Sequence, residues 1–157
     1  MSGLKPILLV EDNARDIELM LTALRENRLA NRVIVLRDGS EALRYLQDRV
    51  KAGFETHPAV ILLDIKMPKV SGIEVLRTIK ADPDLKTLPV VMLSASREGP
   101  DLTACYGLGV NAYVVKPMEF GKFFEAIKSV GQFWAVVNEQ PEHKVGKEAR
   151  NESNAAE

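Results

Sequence analysis

Ala59-Val60-Ile61-Leu62-Leu63-Asp64-Ile65-Lys66-Met67-Pro68 decides how the rest of the chain reads. Five apolar residues run without interruption into an aspartate. A continuous apolar run, as opposed to an alternating one, is what a parallel strand covered on both faces requires. Four further runs resemble it: Pro6-Ile7-Leu8-Leu9-Val10, Val33-Ile34-Val35-Leu36, Leu88-Pro89-Val90-Val91-Met92-Leu93 and Ala112-Tyr113-Val114-Val115. Helical stripes fill the gaps. Ile17, Met20, Leu21 and Leu24 come after a capping Asn13, and Ile73, Val75, Leu76 and Ile79 after a capping Ser71. Ala42, Leu43, Tyr45 and Leu46 form another stripe. Residues 98–108 form a weak one, with Leu102, Cys105 and Tyr106 as its buried candidates. Phe120, Phe123, Phe124, Ile127, Val130 and Trp134 form the strongest. Five alternations of strand and helix predict an α/β fold, a parallel sheet with helices on both faces.

Composition narrows the function. The chain has 157 residues, the size of one domain. Lys+Arg 21 against Asp+Glu 22 leaves a net charge of -1, without the basic excess of a nucleic-acid binder. Cys105 is the single cysteine, so no intrachain disulfide can form and a cysteine zinc site has no material. The two histidines, His57 and His143, are far apart, which leaves little for a catalytic triad. No signal peptide opens the chain and no run approaches a membrane span, so a cytoplasmic, membrane-free protein is expected. From residue 138 onward polar residues dominate and Val145 is the only large aliphatic side chain. A domain over residues 1–137 and a disordered tail over 138–157 are therefore expected.

Sheets of this kind bind ligands at the carboxyl ends of their strands. Glu11-Asp12 stand after the first run, Asp64 after the third, Ser94-Ala95 after the fourth and Lys116-Pro117 after the fifth. Singly, each has an ordinary reading: a helix cap, a turn aspartate, a solvated lysine. Together they bring three carboxylates, a hydroxyl and an ammonium to one edge. Clustered carboxylates repel unless a cation neutralises them, and a magnesium ion does so with hard oxygen ligands. Carboxylate nucleophile, metal, lysine and hydroxyl are the parts of phosphoryl transfer to an aspartate.

With those residues in view, the chain resembles a two-component response-regulator receiver domain. The matching stretches are Ile7-Leu8-Leu9-Val10-Glu11-Asp12-Asn13, Asp38-Gly39-Ser40-Glu41-Ala42-Leu43, Leu62-Leu63-Asp64-Ile65-Lys66-Met67-Pro68, Ser71-Gly72, Met92-Leu93-Ser94-Ala95 and Ala112-Tyr113-Val114-Val115-Lys116-Pro117. The resemblance implies a flavodoxin-like five-stranded sheet of order 2-1-3-4-5. It makes Asp64 the phosphoacceptor, and Asp12, Asp64 and the Lys66 backbone carbonyl the ligands of Mg2+. Glu11 completes the acidic pocket through water. Lys116 and Ser94 would bind the phosphoryl group, Ser94 and Tyr113 would form the switch, and the Lys116–Pro117 bond would be cis. Asn13-Ala14-Arg15-Asp16, residues 47–58, Tyr106-Gly107-Leu108-Gly109-Val110-Asn111 and Phe133-Trp134 are most similar to stand-alone, phytochrome-associated response regulators. That implies a sensor histidine kinase, of the bacterial phytochrome type, as partner. It also implies a switch, not an enzyme acting on external substrates, whose signal leaves through protein contacts or onward phosphotransfer.

Rival readings each lack a part. A haloacid-dehalogenase-type phosphatase needs a second acid two residues after its nucleophile, where Lys66 stands. A flavodoxin-like electron carrier needs a phosphate loop where Glu11-Asp12 would repel the phosphate. A degenerate receiver, serving only as a binding module, would usually have lost part of the acid–lysine set. The Lys66 side chain could lie beside the phosphoryl group or point to solvent. Four of the five phenylalanines and the only tryptophan lie within residues 120–134. That excess predicts a homodimer through the fourth helix, fifth strand and fifth helix, with Phe120, Phe124, Phe133 and Trp134 at the interface. The competing reading folds Phe133 and Trp134 back on their own core.

Overall fold

Each apolar run becomes a strand and each stripe a helix. The computed structural model describes residues 4–53, 57–95 and 99–141. The order is β1 (Ile7–Val10), α1 (Ala14–Glu26), β2 (Val33–Leu36), α2 (Gly39–Ala52), β3 (Val60–Asp64), α3 (Gly72–Ala81), β4 (Val90–Ser94), α4 (Gly99–Gly107), β5 (Ala112–Val115) and α5 (Phe120–Gln132). A π-helical turn, Phe133–Val137, prolongs α5. The strands pair in parallel in the order β2-β1-β3-β4-β5, as expected.

The runs of β1, β3 and β4 are buried on both faces because alternate residues serve different layers, while the edge strands β2 and β5 are largely half-buried. Leu8, Val10, Ile61, Leu63, Val90 and Met92 pack under α2, α3 and α4 with Leu46, Leu76, Ile79 and Cys105. Ile7, Leu9, Val60, Leu62, Val91 and Leu93 pack under α1 and α5 with Met20, Leu24, Phe123 and Ile127. The caps stand where the sequence puts them. The Asn13 side chain accepts from the Asp16 N–H and that of Ser71 from the Glu74 N–H. Asp38 caps α2 by accepting from the Glu41 N–H, and the Glu41 carboxylate accepts in return from the Arg37 N–H.

Three expectations are corrected. On α4 only Cys105 is buried, while Leu102 and Tyr106 face solvent. In the α5 stripe Phe120, the first residue of the helix, is 69% exposed, and burial begins at Phe123. Finally, the stretch expected as tail begins in contact with the domain. Gln140 accepts from Lys5 Nζ at 2.7 Å and donates to the Pro58 carbonyl at 3.2 Å. Residues 142–157 lie outside the described residues. Among the described residues, no helix is long and apolar enough to cross a membrane.

The aromatic cluster divides. Trp134 and Phe124 are half-buried against the α1/α5 layer, whereas Phe133 is 47% exposed beside Val136 and Val137, which are also exposed. Phe133 packs edge-on against Trp134, with ring centroids 5.1 Å apart. α5 approaches α1 so closely that a Cβ on Gly131 would collide with Leu24 Cδ2.

Candidate functional site

Strand register brings the polar residues together. Val10 pairs with Leu63, so Glu11 comes next at the level of Asp64; Ser94 pairs with Val115, one residue before Lys116. The backbone continues the ladder beyond the strands: the Glu11 N–H donates to the Leu36 carbonyl and the Lys116 N–H to that of Ser94, at 3.0 and 2.7 Å. Glu11, Asp12 and Asp64 each offer a carboxylate oxygen, all within 4.8 Å of one another. Glu11 and Asp64 are buried and Asp12 is exposed. Lys116 Nζ lies 2.7 Å from Glu11 Oε2, 3.0 Å from Asp16 Oδ2 and 3.2 Å from Asp64 Oδ1. Ser94 is buried, and its hydroxyl shares a hydrogen bond with the half-buried Tyr113 phenol. An open cavity of about 480 Å³ is lined by these acids, Asn13, Asp16, Lys66, Ser94, Ala95 and Lys116.

The turn after β3 fixes the position of Asp64. The Gly72 N–H donates to the Ile65 carbonyl at 2.8 Å, which folds the chain back so that α3 starts against the end of β3. There a Cβ on Gly72 would collide with the Asp64 carbonyl oxygen. Lys66 is exposed, but at the rim of the cavity. Lys116–Pro117 departs from expectation: among the described residues no peptide bond is cis. For an X–Pro bond the two forms differ by only about 0.5–1 kcal/mol, so local surroundings decide.

Electrostatics follow from burial. Loss of water pushes the Glu11 carboxyl up to about 7, against the pull of its bond to Lys116, and the Asp64 charge adds to the rise. Burial raises Asp64 too, with Lys116 opposing and Asp12 adding. For Lys116, burial favours the neutral form, but its bond to Glu11 and the charges of Asp64 and Glu11 outweigh this and hold the ammonium firmly charged. Three hard carboxylates around a space that they make too negative suit a divalent cation.

This burial makes stability depend on pH. Between 4.5, the ordinary value for a glutamate, and about 7, the folded protein keeps a proton on Glu11 that the unfolded chain has lost. Stability must therefore fall as pH rises through that window, by on the order of 2 kcal/mol. Asp38, whose value is lowered by the Glu41 N–H, acts only at lower pH. Urea unfolding of chelator-treated protein at pH 5 and pH 7.5 should show the lower midpoint at pH 7.5, with added Mg2+ restoring it. A midpoint that rises with pH in metal-free protein would contradict the buried-acid account.

A parallel sheet of order 2-1-3-4-5, with acids, hydroxyl and lysine at its carboxyl edge, defines a receiver. The chain belongs to the response-regulator receiver family, whose domain model matches residues 7–128. It is similar to response regulator Rcp1 of Synechocystis sp., 39% identical over 130 residues that cover 83% of this chain and 88% of that one. The Mn2+-bound form of Rcp1 superposes with a TM-score of 0.80 at 38% identity, over 88% of this chain and 99% of Rcp1. The phosphorylated cyanobacterial phytochrome response regulator RcpA gives a TM-score of 0.82 at 39% identity, covering 89% and 100% of the two chains. The bacteriophytochrome response regulator AtBRR is 57% identical, with a TM-score of 0.67 over 87% and 99%. The likeness to phytochrome-associated response regulators thus holds.

Sequence reasoning missed Asp16 as a partner of Lys116. The signal was present: Asp16 stands three residues after the capping Asn13, in the first turn of α1, directly behind the acidic pair.

Proposed function

We propose that this protein is a phosphorylation-controlled switch that takes a phosphoryl group on Asp64 from the phosphohistidine of a sensor kinase, of the bacterial phytochrome type. The observation that carries this reading is the Lys116 ammonium shared by buried Asp64 and Glu11, with Asp12 completing the acid set. An Asp64 Oδ–P bond forms as the P–N bond of phosphohistidine breaks. The electron pair of that bond returns to the imidazole nitrogen. Asp12, Asp64 and the Lys66 carbonyl would hold Mg2+, with Glu11 reaching it through water. A cation there would neutralise charge that builds on the transferring group. Lys116 and the Ser94 hydroxyl would take the phosphoryl oxygens. Their recruitment would break the Ser94–Tyr113 bond and bias Tyr113, altering the α4–β5–α5 surface. Rcp1 with Mn2+ bound and phosphorylated RcpA support the cation and the acceptor role. The alternative, a degenerate receiver acting as a binding module, has no feature in its favour, since every member of the set is present.

The test is intact-mass spectrometry after incubation with acetyl phosphate and Mg2+. One added phosphoryl group, on the peptide containing Asp64 and lost when Mg2+ is chelated, is the expected result. Its absence would leave the phosphoacceptor reading without support.

The homodimer belongs to the same proposal. Exposed Phe133, Val136 and Val137 at the end of α5 form the apolar face that a second copy would cover. Light scattering should give a dimer for the wild type and a monomer for Phe133→Glu. A wild-type monomer with and without phosphoryl mimic would reject the dimer.

A further inference from the structure

Lys116 has three ammonium protons and three carboxylates to receive them. Glu11 Oε2, Asp16 Oδ2 and Asp64 Oδ1 stand at 2.7, 3.0 and 3.2 Å, so Asp16 holds Lys116 as closely as the phosphoacceptor does. The transfer chemistry proposed for Asp64 gives Asp16 no part. Its place is built in by the start of α1. The Asp16 N–H donates to Asn13 Oδ1 at 3.0 Å, and the Asn13 N–H donates to Glu11 Oε1 at 3.2 Å. One cap residue thus ties the Asp16 backbone to the acid buried beside Asp64.

The three partners are not equivalent. The Glu11 side chain is 1% exposed and that of Asp64 8%, against 32% for Asp16. When Asp64 gains a phosphoryl group, new oxygens need a Lys116 proton that is already in use. The Glu11 side chain is buried, so giving up Lys116 would take from it the ammonium that offsets its loss of solvent. Asp16, on the solvent side, loses little. We propose that Asp16 is a positioning residue that holds Lys116 in the unphosphorylated protein and competes with the phosphoryl group for it. Asp16 thereby sets how readily the site accepts a phosphoryl group. It also adds one negative charge to the path of an anionic phosphodonor. This inference rests on Asp64 being the acceptor.

The test measures the beryllofluoride dissociation constant by calorimetry in saturating Mg2+, and the concentration of acetyl phosphate that half-saturates the phosphorylation rate. Asp16→Asn should lower both by about two- to fivefold, the range that one partly exposed ion pair supplies. Asp16→Glu, which keeps the charge, should return both toward wild type. A merely structural role would instead move the melting temperature and leave these two quantities alone. Should Asp16→Asn lower stability, Asp16→Ser, which keeps a short polar residue in the first turn, repeats the measurement. Equal dissociation constants for wild type, Asp16→Asn and Asp16→Ser, or weaker binding by either variant, would overturn the competition. A wild type that takes no phosphoryl group at all would instead sink the acceptor reading on which the inference stands.

Discussion

Asp64→Asn will leave the protein folded, more stable in the absence of metal, and unable to gain a phosphoryl group from acetyl phosphate. The chemical part follows from the nucleophile: an amide oxygen has neither the charge nor the basicity to attack phosphorus. Glu11 is also buried beside Lys116, so the label must be mapped to the peptide that contains Asp64. The stability part follows from electrostatics. Burial and the charge of Asp12 both oppose ionisation of Asp64, so a neutral isostere removes repulsion that folding had to overcome. A gain of about 1–2 kcal/mol is expected, as is common where function demands a strained charge set. Lys116 keeps its shorter bond to Glu11 throughout. Mass spectrometry and a thermal melt of the same sample separate the two effects. A variant that still carries label at this site would remove Asp64 from the mechanism, and one that merely unfolds would show that the acid is structural.

Gly72→Ala should be the most damaging conservative change near the site. The added methyl would collide with the Asp64 carbonyl oxygen and stand 2.9 Å from the Ile65 Cα. Both belong to backbone, so no rotamer change relieves the clash; either α3 or the end of β3 must move. Overpacking of this kind costs about 1–3 kcal/mol and more when backbone must shift. The melting temperature should fall by roughly 10 °C. Phosphorylation should fall too, because the displaced segment carries the acceptor. Gly107→Ala is the control, since nothing lies within 4 Å of its added Cβ. Equal melting temperatures for the two variants would mean that the tight approach of α3 to β3 is not needed.

Much of this architecture is legible in one dimension. Strands buried on both faces announce themselves as unbroken apolar runs, because neither set of alternate side chains meets water. The caps Asn13 and Ser71 are legible because a helix start exposes N–H groups that a short side chain can satisfy only from the position just before it. Helix α4 has the weakest stripe, and its buried set reduces to Cys105. A helix that buries a single side chain gives periodicity almost nothing to register. Gln140 is hidden for another reason: its partners Lys5 and Pro58 are distant in sequence, and a polar residue after a helix carries no mark of where the chain will turn.

The sequence by itself determined the alternation of strands and helices, and placed Glu11, Asp12, Asp64, Ser94 and Lys116 at strand ends. Those properties depend on local periodicity and on neighbours in the chain. Only the tertiary structure decided which carboxylates share Lys116. Ion pairing depends on distances of a few ångströms between segments 100 residues apart, set by strand register and the first turn of α1. It also decided that Trp134 turns inward while Phe133 stays exposed. Trp134 keeps the inward place its stripe gives it, and whether its neighbour Phe133 folds back as well depends on packing that periodicity does not record.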